Sequence, residues 1–159
     1  MHSANFNPRH YSLLLPDEAA TLRFGASLSR AVQPGLVIYL SGDLGAGKTT
    51  LARGLLRALG HAGRVKSPTF TLVEVYKFSR LYFYHFDFYR FDEPNDWAEA
   101  GFREYFNPES VCLIEWPEKA PTLPRPDLHI TMSVAGEGRL VEWYAGTEVG
   151  RLCLDLIQH

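Results

Sequence analysis

Leu36-Val37-Ile38-Tyr39-Leu40-Ser41-Gly42-Asp43-Leu44-Gly45-Ala46-Gly47-Lys48-Thr49-Thr50 is the stretch on which the fold turns. β-branched and large apolar residues enter it, glycines interrupt it, and Leu51-Ala52-Arg53-Gly54-Leu55-Leu56-Arg57-Ala58-Leu59 leaves it with helical spacing. The order is buried strand, glycine-rich turn, helix. Gly42, four residues, then Gly47-Lys48-Thr49 is the spacing of a P-loop, which arises by chance in about one in 200 chains of this length.

The spacing has a physical reason. A polyphosphate must lie against bare backbone N–H groups at a helix N-terminus, where the peptide dipoles favour negative charge. Gly42, Gly45 and Gly47 allow the backbone to approach the anion with no Cβ in the way. Gly45, Ala46, Gly47, Lys48, Thr49 and Thr50 are therefore the expected phosphate-binding residues, with Lys48 on the β- and γ-phosphates and the Thr49 hydroxyl on Mg²⁺.

At 159 residues the chain is expected to form one domain with its own core, residues 1–9 being a flexible tail. No apolar run reaches the roughly 18 residues of a membrane span, and Met1-His2-Ser3-Ala4-Asn5 begins no signal peptide, so a cytoplasmic protein is expected. Cys112 and Cys153 lie far apart with no C-x-x-C, which encodes neither a disulfide framework nor a zinc site. A net charge of −2 argues against direct binding of DNA or other nucleic acid by phosphate neutralisation alone. The charge is unevenly spread: Leu44 to Val73 holds basic residues and no acid, whereas Phe91 to Glu118 is acidic apart from Arg103 and Lys-free.

Along the chain, Tyr11 to Leu15 reads as a short strand and Pro16-Asp17-Glu18 opens a helix to Val32, with Leu22, Gly25 or Ala26, Leu28 or Ser29, and Val32 inward. Thr69 to Tyr76 alternates like a strand and pairs with Leu81 to Asp87 as an antiparallel hairpin. The aromatics from Tyr82 to Phe91 read as core. Asp92 to Phe106 carries helical periodicity, with Trp97, Ala100 or Gly101, and Tyr105 inward. Ser110 to Glu115 is a buried strand ending on an acid, as a central parallel strand does at its C-terminal edge. Leu128 to Val134 and Leu140 to Tyr144 form a second hairpin, and Val149 to Ile157 a closing helix. The fold class is α/β: a P-loop NTPase-like three-layer fold, its mixed, partly parallel sheet flanked by helices and antiparallel hairpins.

Turnover requires acids beside the phosphates. Ligands of open α/β sheets sit outside the carboxyl ends of the strands, where Asp87 and Glu115 both fall. One is expected to hold the metal, directly or through water, and the other to orient the attacking water. Thr69, in Ser67-Pro68-Thr69, is placed either to sense the γ-phosphate or in a plain turn. Trp116 has two readings, against the base or in the core, and Arg139 is a further nucleotide contact in a glycine-flanked turn. His85 and Arg90 flank Asp87.

Taken together, the P-loop, Ser67-Pro68-Thr69-Phe70, His85-Phe86-Asp87-Phe88-Tyr89-Arg90 and Ile114-Glu115-Trp116-Pro117 resemble the four sequence blocks of the TsaE family. The resemblance implies a cytoplasmic ATPase of tRNA threonylcarbamoyladenosine biosynthesis that docks on the TsaB-TsaD pair. It supports threonylcarbamoylation of adenosine 37 in tRNAs reading codons that begin with A, and meets tRNA through that complex. It also implies ATP and Mg²⁺ as cofactors, Thr49 and Glu115 on the metal, Asp87 in turnover, and Thr69 in a switch-like loop; Lys48, read from the P-loop itself, is the further catalytic candidate.

Two other readings of the residues stay open. A small-molecule kinase needs an arginine-bearing lid, which Gly60 to Lys66 with its single Arg64 supplies poorly. A nucleotide-holding interaction module needs no turnover at all. A GTPase is disfavoured, because no Asn-Lys-x-Asp base reader is present.

Overall fold

The strand that enters the glycine-rich loop, β2 (Val37–Ser41), runs along the middle of a seven-stranded sheet. In the computed structural model, which describes residues 10–157, the order of elements is β1 (His10–Leu15), α1 (Glu18–Leu28), β2, α2 (Lys48–Ala58), β3 (Val73–Lys77), β4 (Tyr82–Asp87), α3 (Asp96–Glu99), β5 (Ser110–Glu115), β6 (Leu128–Ala135), β7 (Gly138–Ala145) and α4 (Glu148–Leu154). The tail expected at residues 1–9 lies outside the described residues.

Across the sheet the strands run β1-β7-β6-β2-β5-β4-β3. The four central strands are mutually parallel, and antiparallel partners close both sides: β3 on β4, and β7 and β1 beyond β6. Every residue of β5 is buried, as expected of a strand covered on both faces, so its sequence is an apolar run rather than an alternation. The register brings Leu40 opposite Glu115 and Glu115 opposite Asp87, which aligns the ends of β2, β5 and β4 at one edge.

One sheet face carries α1, α2 and α4 over a core that includes Ile38, Leu40, Leu51, Leu55, Leu113 and Trp143. The helices α1 and α2 cross closely at two glycines: a Cβ on Gly25 would strike the Leu51 carbonyl, and one on Gly54 the Leu22 carbonyl. The opposite face holds an aromatic cluster built from Phe86, Phe88, Phe91, Trp97 and Phe102. The aromatics of Tyr82 to Phe91 are thus core at Phe83, Phe86, Phe88 and Phe91, while Tyr82 and Tyr89 are exposed. Cys112 is buried in β5, where burial pushes its thiol up to about 12.

Four expectations change. The first helix stops at Leu28 and continues only as a 3-10 turn at Ser29–Ala31. Its buried face runs through Phe24 and Ser27 rather than Leu22, because Gly25 must face α2 for the helices to approach. Thr69 to Leu72 is not strand: Leu72 N–H bonds the Pro68 carbonyl at 2.8 Å and takes a left-handed φ of 70°, so pairing starts only at Val73. The helix expected over Asp92 to Phe106 is one turn of α3 and a 3-10 turn at Phe102–Tyr105. Gly101, at φ 86°, ends the first, and the Asp96 carboxylate draws the Asp92 and Glu93 N–H groups into a cap instead of a helical turn. Trp97 is buried as expected, but Phe102 takes the inward place given to Ala100 or Gly101. The last helix ends at Leu154, with Ile157 still packed on the core.

Candidate functional site

The ends of β2, β4 and β5 open on a cleft of about 310 Å³ lined by Gly45, Gly47, Lys48, Thr49, Thr50, Ser67, Thr69, Asp87, Glu115, Trp116 and Arg139. Almost every residue singled out from the sequence is brought to this one place by β-strand register and the turn into α2.

The loop is shaped to leave backbone donors facing the cleft. Gly47, at φ 99°, is the N-cap of α2, with no side-chain cap and no acid in the first turn. The first-turn N–H groups of Lys48, Thr49 and Thr50 have no carbonyl four residues back inside the helix, so an anion is their natural partner. Gly42 is the second constrained position, since a Cβ there would crowd the Met132 carbonyl of β6. Ala46 supports the loop rather than lining the cleft: it is buried, and its N–H bonds the Asp43 carbonyl at 3.1 Å.

Lys48 is buried at the centre of the cleft wall. Its Nζ donates to the Gly42 carbonyl, lies 3.7 Å from Glu115 Oε1, and sits 4.3 Å above the Trp116 ring. Trp116 follows β5 in a left-handed turn at φ 58°, and its ring lines the cleft and meets Tyr89. Trp116 shares features of both its readings: it lines the cleft and packs, half-buried, against the aromatic cluster.

Glu115 is 4% exposed and its Oε2 lies 2.6 Å from His85 Nε2. Asp87 accepts from Thr69 Oγ1 at 3.2 Å and from Tyr89 N–H at 2.9 Å. Burial, and then the nearby Glu115 charge, hold the Asp87 carboxyl above its ordinary range, although the Tyr89 N–H, the Thr69 hydroxyl and Lys48 pull the other way. Thr69 also bonds Ser67 at 2.8 Å, so the loop is tied to Asp87 through a hydroxyl chain. Arg139 reaches over from β7 and donates from Nη2 to the Gly45 carbonyl at 3.1 Å, which pins the loop from outside. The Arg90 guanidinium lies over the exposed Phe70 ring, 5.4 Å from its centre.

A metal fits this donor set only in company. Among the described residues no group of three or more His, Cys, Asp and Glu could hold an ion by itself. The Thr49 hydroxyl and a carboxylate lining the same cleft suit Mg²⁺, which keeps waters and shares phosphate oxygens rather than seeking an all-protein cage. No helix of the described residues is long and apolar enough to cross a membrane.

Sequence reasoning missed the pairing of His85 with Glu115, reading His85 only as a neighbour of Asp87. Strand period offered the signal: His85 and Asp87 share one face of β4, as Leu113 and Glu115 share one face of β5, and the two strands pair in parallel. Also missed was a second, smaller cleft of about 220 Å³ against Gly47, Thr50 and Arg139, walled by Asp17, Glu18, Thr21 and Glu137. No local pattern joins those residues, which meet through the packing of α1 on α2 and the pairing of β1 with β7.

Comparison with known proteins gives a consistent result. The family model described as threonylcarbamoyl adenosine biosynthesis protein TsaE matches residues 15–143. The chain is 44% identical over 143 residues to the tRNA threonylcarbamoyladenosine biosynthesis protein TsaE of Haemophilus influenzae, covering 86% of this chain and 90% of that one. It is 37% identical over 148 residues to the protein of the same name from Bacillus subtilis, with 91% and 90% covered. The crystal structure of Bacillus subtilis YdiB superposes with a TM-score of 0.81 at 28% identity, spanning 96% of this chain and 97% of that one. With the matched segment running from the end of β1 to β7, the chain belongs to the TsaE family.

Proposed function

We propose that this protein binds and hydrolyses ATP with Mg²⁺ in the cytoplasm and serves the threonylcarbamoylation of adenosine 37 in tRNAs reading codons that begin with A. In this reading it acts on a TsaB-TsaD complex and meets tRNA through that complex. The observation that carries the reading is the convergence of Lys48, Glu115, Asp87 and Thr69 on one cleft at the uncapped start of α2. The TsaE relatives, named for tRNA threonylcarbamoyladenosine biosynthesis, support the choice of pathway.

Each residue has a distinct part. The α2 N–H groups and Lys48 hold the phosphates, with Thr50, Arg139 and Trp116 lining the same cleft. Thr49 and Glu115 are the residues that would hold Mg²⁺, which when bound neutralises phosphate charge. Asp87, with its carboxyl pushed up and its two oxygens fixed by Thr69 and Tyr89, orients the attacking water as it loses its proton. The loop carrying Ser67 and Thr69 connects that carboxylate to the surface, where the His61 to Phe70 segment signals the state of the γ-phosphate to a partner.

The test is ATP hydrolysis, with and without TsaB-TsaD, by the native chain and by Lys48→Ala, Asp87→Ala and Glu115→Ala. The reading expects partner-stimulated turnover that each substitution lowers by roughly 100-fold or more. Normal turnover in both acid variants would remove the roles given to Asp87 and Glu115. Nucleotide binding with no turnover even beside the partners would leave an interaction module instead.

A further inference from the structure

His85 is fully buried in β4, yet only one of its ring nitrogens has a partner: Nε2 lies 2.6 Å from Glu115 Oε2, while Nδ1 is buried with no hydrogen bond. A neutral imidazole carries one N–H and one lone pair. Placing the proton on Nδ1 would leave a donor unmade and turn the Nε2 lone pair toward a carboxylate. A proton therefore belongs on Nε2, donating to Glu115, while Nδ1 is left without a partner. A leucine or phenylalanine, such as those that fill the neighbouring positions Phe83 and Leu113, would occupy this core site with no orphaned atom. The arrangement makes sense as a means of holding the carboxylate.

Glu115 is gripped at both oxygens but unequally. Oε2 is engaged by the buried His85, whereas Oε1 faces Lys48, 3.7 Å away, on the side that lines the cleft. Rotation of the carboxylate about its terminal bond would break the His85 hydrogen bond. We propose that His85 is the positioning residue of Glu115: its Nε2–H locks Oε2 so that Oε1 is the oxygen offered to a divalent cation in the cleft. Groups that hydrogen-bond a metal ligand from behind orient it, and their loss weakens metal binding by about 10- to 100-fold. The inference rests on the reading of Glu115 as a metal-holding residue.

The experiment measures Mn²⁺ affinity by electron paramagnetic resonance in the presence of ADP, alongside ADP affinity in EDTA and the thermal midpoint. It compares the native chain with His85→Leu, His85→Gln and Glu115→Gln. His85→Leu should bind Mn²⁺ about 10-fold more weakly while its metal-free ADP affinity stays within about 2-fold of native. His85→Gln, whose Nε2 amide can donate from a similar reach, should recover most of the loss. A merely structural histidine would instead lower the thermal midpoint with no selective effect on the metal. Native Mn²⁺ affinity in His85→Leu, with Glu115→Gln impaired, overturns the proposal while sparing the role of Glu115. Native affinity in Glu115→Gln overturns that role and the proposal with it. Should His85→Leu fail to fold, His85→Met removes the donor at similar length and is read in the same way.

Discussion

Asp87 and Glu115 stand directly opposite one another in the parallel register of β4 and β5, two buried carboxylates at the wall of one cleft. Burial first, and the charge of Glu115 after it, raise the Asp87 pKa. The folded chain therefore keeps this proton to higher pH than the unfolded chain. The ionised form costs stability above the raised value, and the cost disappears below the ordinary carboxylate range. Asp87→Asn is expected to raise the thermal midpoint by about 2 °C or more near neutral pH. That gain should shrink toward zero as pH falls through the carboxylate range, and ATP hydrolysis should drop at least about 100-fold. Differential scanning fluorimetry across pH and a phosphate-release assay check the two halves; a lowered midpoint at neutral pH would contradict the first.

Thr69 connects Asp87 to the loop through a single hydroxyl, which also meets Ser67. Thr69→Val keeps the shape and removes both bonds. Loss of one hydrogen bond to a charged group is worth about 1.5 kcal/mol, so turnover should fall roughly 10-fold. ADP affinity, set mainly at the start of α2, should stay within about 2-fold. Steady-state kinetics beside a fluorescent ADP titration distinguish the two effects.

His129 lies between Ser41 Oγ at 2.9 Å and Tyr144 OH at 2.8 Å, and burial lowers its pKa from the ordinary 6.5, with Glu118 partly opposing. Two hydroxyls can satisfy a neutral ring, one donating and one accepting. The folded chain thus binds this proton less readily than the unfolded chain, and the contribution of His129 to stability is complete above 6.5 and is lost as pH falls below it. Urea midpoints measured from about pH 8 to about pH 5 should decline for the native chain. His129→Gln should flatten that decline; an unchanged slope would place the effect elsewhere.

Gly54 meets the Leu22 carbonyl of α1 where the two helices cross. Helix propensity favours alanine there by up to about 1 kcal/mol, but a backbone carbonyl cannot move aside as a flexible side chain can. Gly54→Ala is expected to destabilise the fold by about 2 kcal/mol net, with a matching loss for Gly25→Ala. Equilibrium unfolding in urea measures both. Because α2 begins at the cleft, weaker ADP binding should accompany the change in Gly54→Ala.

Strand, turn and helix around Gly42 to Thr50 were readable locally, since apolar runs, glycine spacing and helical period all act within a few residues. The same holds for the acids that end β4 and β5, and for both hairpins. Local pattern misled where a long-range bond competed with it. The alternation of Thr69 to Leu72 matches a strand, but Pro68 and Asp87 capture the Leu72 backbone and turn it away from the sheet. The periodicity of Asp92 to Phe106 matches a helix, but Gly101 breaks it so that Phe102 can enter the aromatic cluster.

By itself, the order of residues determined that a glycine-rich turn would sit between a buried strand and a helix, and that carboxylates would end strands near it. Only the tertiary structure decided which groups meet: His85 with Glu115, Arg139 with Gly45, and Asp87 with Thr69. The reason is physical. Spacing along a chain dictates which side of its own strand or helix a residue takes, whereas its partner across the sheet depends on strand order and register, which the packing of the whole core selects.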